Sequence, residues 1–355
     1  MLKGASQERI LASLVKMLAV SMLWQMAASA QVAANAQAAG NVQAAAGAQD
    51  STCWLRDGAS PAKSLVYLLC EQGGLMVTTD AGATWSNRTT GAKGHLRNIE
   101  FSDANHGFAV GDEGLLVATA DGGKTWEPRR TGVTENLTSI QFIGQSGWVT
   151  GYDGVILHSA DGGLTWSAQT TGTKESLEDV FFLDLEHGWV VGWAGMILRT
   201  TDGGKTWHQA RTDAAQWSLM SVYFRDANNG WTVGFSGQIF RSRDGGVTWT
   251  AQTSPVRSSL SSVLFDSANK GWITADDSIL SSEDGGESWK NIKVDDQLFL
   301  CQLITVNGSP WAIGQLGVLR QSGPNSAWKK IESLVPDDPL KDNYTTSIST
   351  PGQPN

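Results

Sequence analysis

Short runs in which apolar and polar residues alternate recur along most of the chain, and they predict β-strands. The stretch Leu137–Phe142 (LTSIQF) is one of them. In the unit that follows it along the chain, a turn at 184–188 leads to a short apolar strand that starts at Trp189. A Gly-x-x-Gly turn and a third strand at 196–200 come next, and the segment TTDGGKTW turns the chain into a fourth strand at Trp207. The pattern predicts units of four short strands joined by tight turns.

Two aromatic markers show that this unit is repeated. The segment TTDGGKTW has five close relatives, and a degenerate seventh copy follows them; successive copies lie 39 to 42 residues apart. The tryptophans that close the seven copies are Trp85, Trp126, Trp166, Trp207, Trp249, Trp289 and Trp328. A second aromatic precedes each of them by 17 or 18 residues, at Tyr67, Phe108, Trp148, Trp189, Trp231, Trp272 and Trp311. Both markers therefore give seven units.

Four strands in about 40 residues are the signature of a propeller blade. We predict an all-β fold, a seven-bladed β-propeller of four-stranded antiparallel blades, over residues 51–333. The closure of the ring stays open at this point. The first and last units are each nearly complete blades, or residues around Cys53 complete the last one.

The repeated aspartates are predicted to be structural. An aspartate in a turn accepts hydrogen bonds from backbone N–H groups, and the glycines beside it permit positive φ. A catalytic residue need not recur in every blade. The aspartates of this Asp-box are Asp80, Asp121, Asp161, Asp202, Asp244 and Asp284, and Gly323 stands in their place in the seventh unit.

The two ends of the chain differ from the repeats. Residues 1–30 read as a signal peptide, with basic residues, a short apolar stretch and a small-residue cleavage site at 28–30. Residues 31–50 are an Ala/Gln-rich flexible spacer, and residues 334–355 a loose tail. The protein is therefore expected to be exported to the periplasm, or to the thylakoid lumen if the host is photosynthetic.

Composition narrows the possible chemistry. A net charge of −9 argues against nucleic acid as the partner. The three cysteines, Cys53, Cys70 and Cys301, allow one disulfide in an exported protein, and the sequence does not choose the pair. No cysteine or histidine spacing indicates a metal site. We predict neither a metal nor a cofactor, and a monomer that does not itself span a membrane.

The segment HGWVVGWAGMILRTTDGGKTW (187–207) resembles the photosystem II stability/assembly factor family, and the resemblance extends over about residues 53–333. It implies a seven-bladed propeller behind an export or transit signal. It also implies a lumenal or periplasmic factor that binds a protein and helps to assemble a membrane complex, which is photosystem II for the members of known role.

The resemblance also implies an arginine-rich binding patch. Arg199, Arg241 and Arg320 occupy the equivalent third-strand position in three blades. The other four blades have Val77, Ala118, His158 and Ser281 there, so the arginine set is incomplete. The alternative role for each arginine is a strand residue in an ordinary surface pair.

The face that carries the Gly-x-x-Gly turns is the predicted binding surface, because its residues vary within a constant frame. Three successive turns place Tyr152, Trp193 and Phe235 near the mouth of the central channel. Loops between blades add Arg129, Arg130, Arg211, Trp217 and Arg257. Aromatic anchors with arginine at the edge are typical of protein interfaces. The alternative is that the aromatics pack flat over neighbouring turns.

An enzyme is the rival interpretation, because sialidases and xyloglucanases also carry the Asp-box. A sialidase-like site needs an arginine triad and a Tyr–Glu pair, and Tyr152 is the only tyrosine predicted on the open face. Turn carboxylates such as Asp112 and Asp276 could supply a catalytic pair, but aspartate is a routine turn former. We therefore predict a scaffold with no catalytic residues, with a glycoside hydrolase or carbohydrate-binding propeller as the alternative.

Overall fold

A computed structural model describes residues 53–210, 212, 217–267, 269–294, 298–321 and 326–334. The predicted signal peptide, the spacer, Arg211, Gly323 and the predicted tail after Leu334 lie outside these residues. Twenty-eight strands in the described part form seven four-stranded antiparallel sheets, each built from four strands that are consecutive in the chain. The predicted seven-bladed β-propeller is confirmed.

The strands are numbered in chain order. Blade 1 contains β1 Leu55–Ala62, β2 Leu65–Cys70, β3 Gly74–Thr78 and β4 Ser86–Thr89. Blade 2 contains β5 Leu96–Phe101, β6 Gly107–Gly111, β7 Leu116–Thr119 and β8 Glu127–Pro128. Blade 3 contains β9 Leu137–Ile143, β10 Ser146–Gly151, β11 Ile156–Ser159 and β12 Ser167–Ala168. Blade 4 contains β13 Leu177–Phe182, β14 Gly188–Gly192, β15 Ile197–Thr200 and β16 His208–Gln209.

The remaining blades follow the same order. Blade 5 contains β17 Leu219–Phe224, β18 Gly230–Gly234, β19 Gln238–Ser242 and β20 Thr250–Gln252. Blade 6 contains β21 Leu260–Phe265, β22 Gly271–Ala275, β23 Ser278–Ser282 and β24 Lys290–Lys293. Blade 7 contains β25 Leu300–Val306, β26 Ser309–Gly314, β27 Gly317–Gln321 and β28 Trp328–Lys330. In blades 1 to 6 the fourth strand begins just after the box tryptophan rather than at it.

The first strand of each blade lies innermost and contacts the first strands of both neighbouring blades, so these seven strands surround a central channel. The helical elements of the described residues are four three-residue 3₁₀ turns, at Asp112–Gly114, Tyr152–Gly154, Trp193–Gly195 and Phe235–Gly237. Within the described residues, no helix has both the length and the apolar character needed to cross a bilayer.

The core lies between blades and consists largely of stacked aromatic rings. In blade 4, Trp189 is 2% exposed and stacks on Phe224 of blade 5, with 3.5 Å between ring centroids. The box tryptophan of blade 5, Trp249, contacts the same phenylalanine edge-on at 5.6 Å. Close stacked and edge-on pairs of this kind add to the stabilisation from buried area. The aromatic markers of the repeat therefore bind each blade to the next.

The ring closes between two complete blades, which answers the question that the sequence left open. The N–H of Leu55 donates to the carbonyl of Gln315 in blade 7. At the opposite end of the seam, Arg320 Nη1 donates to the carbonyl of Ala81, and Ser333 Oγ donates to that of Gly82. Cys53 pairs with Cys70 within blade 1, and Cys301 is the free thiol. Residues around Cys53 therefore do not complete blade 7.

Candidate functional site

The antiparallel blades sort their turns onto two faces. We call "box face" the face with the Asp-box turns and the turns between first and second strands. We call "loop face" the face with the turns between second and third strands and the connections between blades. Both names follow from the strand order, because consecutive turns of an antiparallel blade lie at alternate ends.

The Asp-box carboxylates on the box face are occupied by their own turns. Asp121 Oδ1 accepts hydrogen bonds from Thr119 Oγ1 and from the N–H groups of Lys124 and Thr125, and Oδ2 accepts one from Thr125 Oγ1 at 2.7 Å. Hydrogen bonds from the backbone N–H and the hydroxyl of Thr125 hold the pKa of the Asp121 carboxyl well below its usual range. In the other five boxes the carboxylate likewise accepts hydrogen bonds from the N–H and the hydroxyl of the Thr or Ser four residues on, at Asp80, Asp161, Asp202, Asp244 and Asp284. Carboxylates used in this way serve the turn.

The loop face carries a group of exposed large apolar side chains. Trp193 and Phe235 are 43% and 42% exposed, and each is the first residue of its 3₁₀ turn. The second residue of each of these turns has positive φ, for example 52° at Ala194, and this tight geometry presents the preceding side chain at the surface.

Trp54, Phe299 and Leu316 are also exposed on this face, at the seam between blades 6, 7 and 1. The sequence did not single them out. Trp54 and Phe299 each precede a first strand, and their carbonyls accept hydrogen bonds from the N–H groups of Glu71 and Gln315, which lie in turns of the loop face. These five exposed residues together are called the "apolar rim": Trp54, Trp193, Phe235, Phe299 and Leu316.

Tyr152, the third predicted aromatic, is partly covered by a charged cluster at the channel mouth. Arg97 lies over its ring at 5.4 Å and forms an ion pair with Asp112. Across the mouth, Trp193 Nε1 donates to Glu178 Oε1 at 2.6 Å. Burial raises the pKa of Glu178, although the hydrogen bond from Trp193 and the charge of Arg97 act in the opposite direction. Polar and aromatic groups of three blades meet here.

The third-strand arginines lie elsewhere. Arg241 is 5% exposed between blades, lies over the Trp231 ring at 4.9 Å and forms an ion pair with Glu287 of the next blade at 2.6 Å. Arg320 lies over Trp311 and reaches the box turn of blade 1. Arg199 is half-buried and opposite Trp189 in the register. The structure does not bring these three arginines to the loop face or to one another, because each packs against the second-strand aromatic of its own blade.

Four of the predicted residues in the connections between blades lie within the described part of the chain, on the loop face. Arg130 and Arg257 are exposed, and Arg129 forms an ion pair with Glu127 at 3.0 Å. Trp217 is half-buried against the core between blades 4 and 5, and its carbonyl accepts a hydrogen bond from the N–H of Gly195. Trp217 therefore contributes mainly to packing.

The central channel opens at the mouth and has a volume of about 570 Å³. The third residue of each first strand contributes a polar side chain to it, and several of these bind the next blade: Asp57 accepts from the N–H of Ile99, Asn98 from that of Ile140, and Asp179 from that of Val222. Among the described residues, no three His, Cys, Asp or Glu side chains converge as a metal-binding group.

Comparisons with known proteins agree with this architecture. The model of the family described as photosynthesis system II assembly factor YCF48 matches residues 91–174, 165–218 and 214–320. No curated protein sequence matches the chain significantly.

Solved structures share the fold. A structure of YCF48 bound to D1 peptide is 20% identical, with a TM-score of 0.65 over 76% of this chain and 92% of that one. YCF48 from Cyanidioschyzon merolae is 18% identical, with a TM-score of 0.62 over 76% and 95%. An ancestral GH74 enzyme is 14% identical, with a TM-score of 0.63 over 79% of this chain and 46% of that one. The match of the family model extends over more than half of the sequence, and the chain therefore belongs to the photosynthesis system II assembly factor YCF48 family.

Proposed function

We propose that the protein is an exported, non-enzymatic assembly factor whose loop face binds a protein segment of a membrane complex, which is photosystem II if the host is photosynthetic. The observation that carries the proposal is the apolar rim. Five large apolar side chains, 42% to 51% exposed, lie on the loop face. Exposed large apolar side chains that share one face with polar groups are typical of protein interaction sites.

The edge of this surface fits the same function. The exposed Arg130 and Arg257 lie in connections between blades on the same face, and the ion pair of Arg97 and Asp112 lies at the channel mouth. Interfaces commonly combine an apolar centre with a charged border that aligns the partner. The known structure of YCF48 bound to D1 peptide supports a peptide from a photosystem II protein as the partner class.

The test replaces three loop-face aromatics by serine, as Tyr152→Ser, Trp193→Ser and Phe235→Ser together. We expect binding of a D1 peptide, measured by calorimetry, to weaken at least tenfold. The matched control is Leu164→Ser, Leu185→Ser and Val247→Ser, which removes three exposed apolar side chains from the box face. Equal peptide affinity of both folded triple variants would contradict a binding site on the loop face.

The absence of catalysis is a separate part of the proposal. The box carboxylates are held by their turns, and this observation supports a structural rather than a catalytic role for them. We expect no turnover on a panel of fluorogenic glycosides. Turnover that disappears when carboxylates of the loop face or channel are changed to amides would show a glycosidase instead.

Export is supported by the Cys53–Cys70 disulfide, because such bonds persist in oxidising compartments. We expect the mature protein to start near residue 31 and to fractionate with the periplasm or the thylakoid lumen. N-terminal sequencing of the protein purified from its host, with thiol counting in the same fraction, tests this. An unprocessed, fully reduced protein in the cytoplasm would contradict it.

A further inference from the structure

The channel continues below the mouth as a cavity with an acidic floor. Its upper lining includes Arg56 and Arg97, the second residues of their strands, and its lower lining includes Glu100, the fifth residue of β5. Three residues of strand span about 10 Å. A group that enters from the loop face must therefore pass the mouth before it reaches Glu100.

The charges at the mouth largely compensate one another. Arg97 is paired with Asp112, and Glu178 accepts a hydrogen bond from Trp193 and is stabilised by the charges of Arg97 and Arg56. Asp276, which follows β22, also lines the cavity at this end, so the mouth presents two guanidinium groups against three carboxylates and carries only a small acidic excess.

The carboxylates below the mouth, which we call the floor, have no such compensation. Asp57 and Asp179 are the third residues of β1 and β13, and Glu100 is the fifth residue of β5; all three line the same cavity. Among the described residues, no lysine, arginine or histidine forms an ion pair with any of them. Carboxylates that are removed from water without a cation are costly to keep ionised.

Asp57 gives an independent indication that a group is missing. It is 2% exposed, and its Oδ2 atom accepts hydrogen bonds from the side chain of Asn98 and from the N–H of Ile99. Its buried Oδ1 atom has no hydrogen bond of normal geometry, although the side chain of Gln302 lies near the carboxylate and acts to lower its pKa. Buried polar atoms are nearly always paired, and an exception in a cavity wall points to a ligand that brings a donor.

We propose that the channel is a binding site for the side-chain ammonium group of a lysine, presented by the polypeptide that lies across the loop face. This inference rests on the proposed function, since that function supplies the polypeptide. The ammonium group has three donors on a flexible four-carbon stem, which suits a narrow cavity with carboxylates at its end. Met220 and Phe181 in the cavity wall provide apolar surface for the stem.

Protonation of the floor competes with such a ligand. Burial and the nearby charge of Asp57 raise the pKa of Glu100 to about 8. The other charged groups that line the cavity are Asp57 and Arg56 of β1, Arg97 of β5, Glu178 and Asp179 of β13, and Asp276 after β22. An ammonium group stabilises the ionised form, so binding releases a proton and strengthens as pH rises through the raised pKa.

The experiment uses the purified full chain and two small probes, Nα-acetyl-lysine amide and Nα-acetyl-norleucine amide. They share the backbone and the four-carbon stem and differ in the ammonium group. Saturation-transfer NMR titrations at pH 8.5 measure their affinities. We expect the lysine probe to bind at least tenfold more tightly than the norleucine probe, and its affinity to fall about tenfold at pH 6.5.

The variant Glu100→Gln should reduce the affinity for the lysine probe at least tenfold, whereas Glu113→Gln, in a turn of the loop face, should change it less than twofold. Equal binding of both probes to the wild-type protein would overturn the inference without relying on any variant. Displacement of the lysine probe by micromolar CaCl₂ would also overturn it, in favour of an inorganic cation.

The two proposals fail separately. If the loop-face triple variant loses D1 peptide binding but both probes bind the wild-type protein equally, only the lysine site is contradicted. If the lysine probe binds more tightly than the norleucine probe but the loop-face triple variant binds the D1 peptide as well as the wild-type protein does, only the proposed partner site is contradicted.

Discussion

At the scale of single residues, the surroundings of each carboxylate decide its role. The box aspartates lie on the surface and accept several hydrogen bonds each; such bonds lower the pKa of Asp161 and Asp202 to about 2. Asp57 and Glu100 lie in the channel, and desolvation raises their pKa values to about 6 and about 8. Carboxylates therefore stabilise turns on the box face, whereas those in the channel are buried without a cation to balance their charge.

Glu100 predicts a pH dependence of stability. Its folded-state pKa lies above the unfolded value of 4.5, so the folded chain keeps a proton that the unfolded chain loses between about pH 4.5 and pH 8. Stability from this group is complete below that window and is lost as pH rises through it. One pKa unit corresponds to about 1.4 kcal/mol. Because water in the channel screens the group, we expect Glu100→Gln to stabilise the protein by about 1–3 kcal/mol at pH 8.5.

The measurement is urea unfolding at pH 4.5, 6.5 and 8.5. The stabilisation by Glu100→Gln should be near zero at pH 4.5 and should grow towards pH 8.5. Glu113→Gln serves as the control and should give a constant difference. A stabilisation of the same size at all three pH values would show that burial does not change the protonation of Glu100.

At the scale of elements, aromatic ring pairs join each of blades 1 to 5 to the next blade. In blades 2 to 6 a phenylalanine of the first strand lies between the second-strand aromatic of the preceding blade and the box tryptophan of its own blade, as Phe182 lies between Trp148 and Trp207. Gly188 permits this arrangement, since a Cβ atom there would lie 2.4 Å from the Phe182 ring. The repeat thus encodes contacts between blades as well as within them.

Two tryptophans of blade 4 test this division between packing and surface. Trp189 is 2% exposed and stacks on Phe224, whereas Trp193 is 43% exposed on the loop face. We expect Trp189→Ala to destabilise the protein by about 3–5 kcal/mol, as other large-to-small core changes do. Trp193→Ala should cost less than about 1 kcal/mol. Chemical unfolding of both variants measures the difference, and similar losses would contradict the assignment of Trp193 to the surface.

At the scale of the whole molecule, the ring depends on the seam between blades 7 and 1. Leu55, Cys70, Trp311 and Ile313 share one core cluster across it, and the disulfide fixes the start of β1 to the end of β2 beside the channel mouth. The seam contains no strand exchanged between the blades, because each blade supplies its own four strands. Side-chain packing and a few hydrogen bonds therefore hold the circle closed, and the disulfide stabilises the blade 1 side of the seam.

Removal of the disulfide should loosen that seam. A crosslink that closes a loop of about 15 residues stabilises a protein by roughly 3 kcal/mol, and the loop here has a sequence separation of 17. We expect Cys53→Ser with Cys70→Ser to lower the free energy of unfolding by about 2–4 kcal/mol. Reduction of the disulfide in the wild-type protein should lower it by the same amount. Thiol labelling is the control: Cys301 should react only after denaturation. An unchanged stability would show that the seam holds without the crosslink.

The strength of the sequence prediction differed between fold and site. The box tryptophans and the second-strand aromatics predicted the number of blades, because each marker occupies the same position in the local structure of every repeat. The phenylalanines that lie between them, such as Phe182 and Phe224, could have been found at or next to the last position of the first strand in blades 2 to 6, where they recur. The role of Arg241 could not be predicted, because its ion pair is with a residue of the next blade, distant in sequence.

The sequence by itself determined the strand order within each blade, the turn chemistry of the Asp-box and the assignment of its turns to one face, since these depend on residues within one repeat. Only the tertiary structure decided the cysteine pairing, the closure of the ring and the burial of the third-strand arginines. It also placed Asp57, Glu100 and Asp179 in the lining of one channel, and exposed Trp54 and Phe299 on the same face as Trp193. These arrangements arise between blades, where closing the circle places residues from distant repeats side by side.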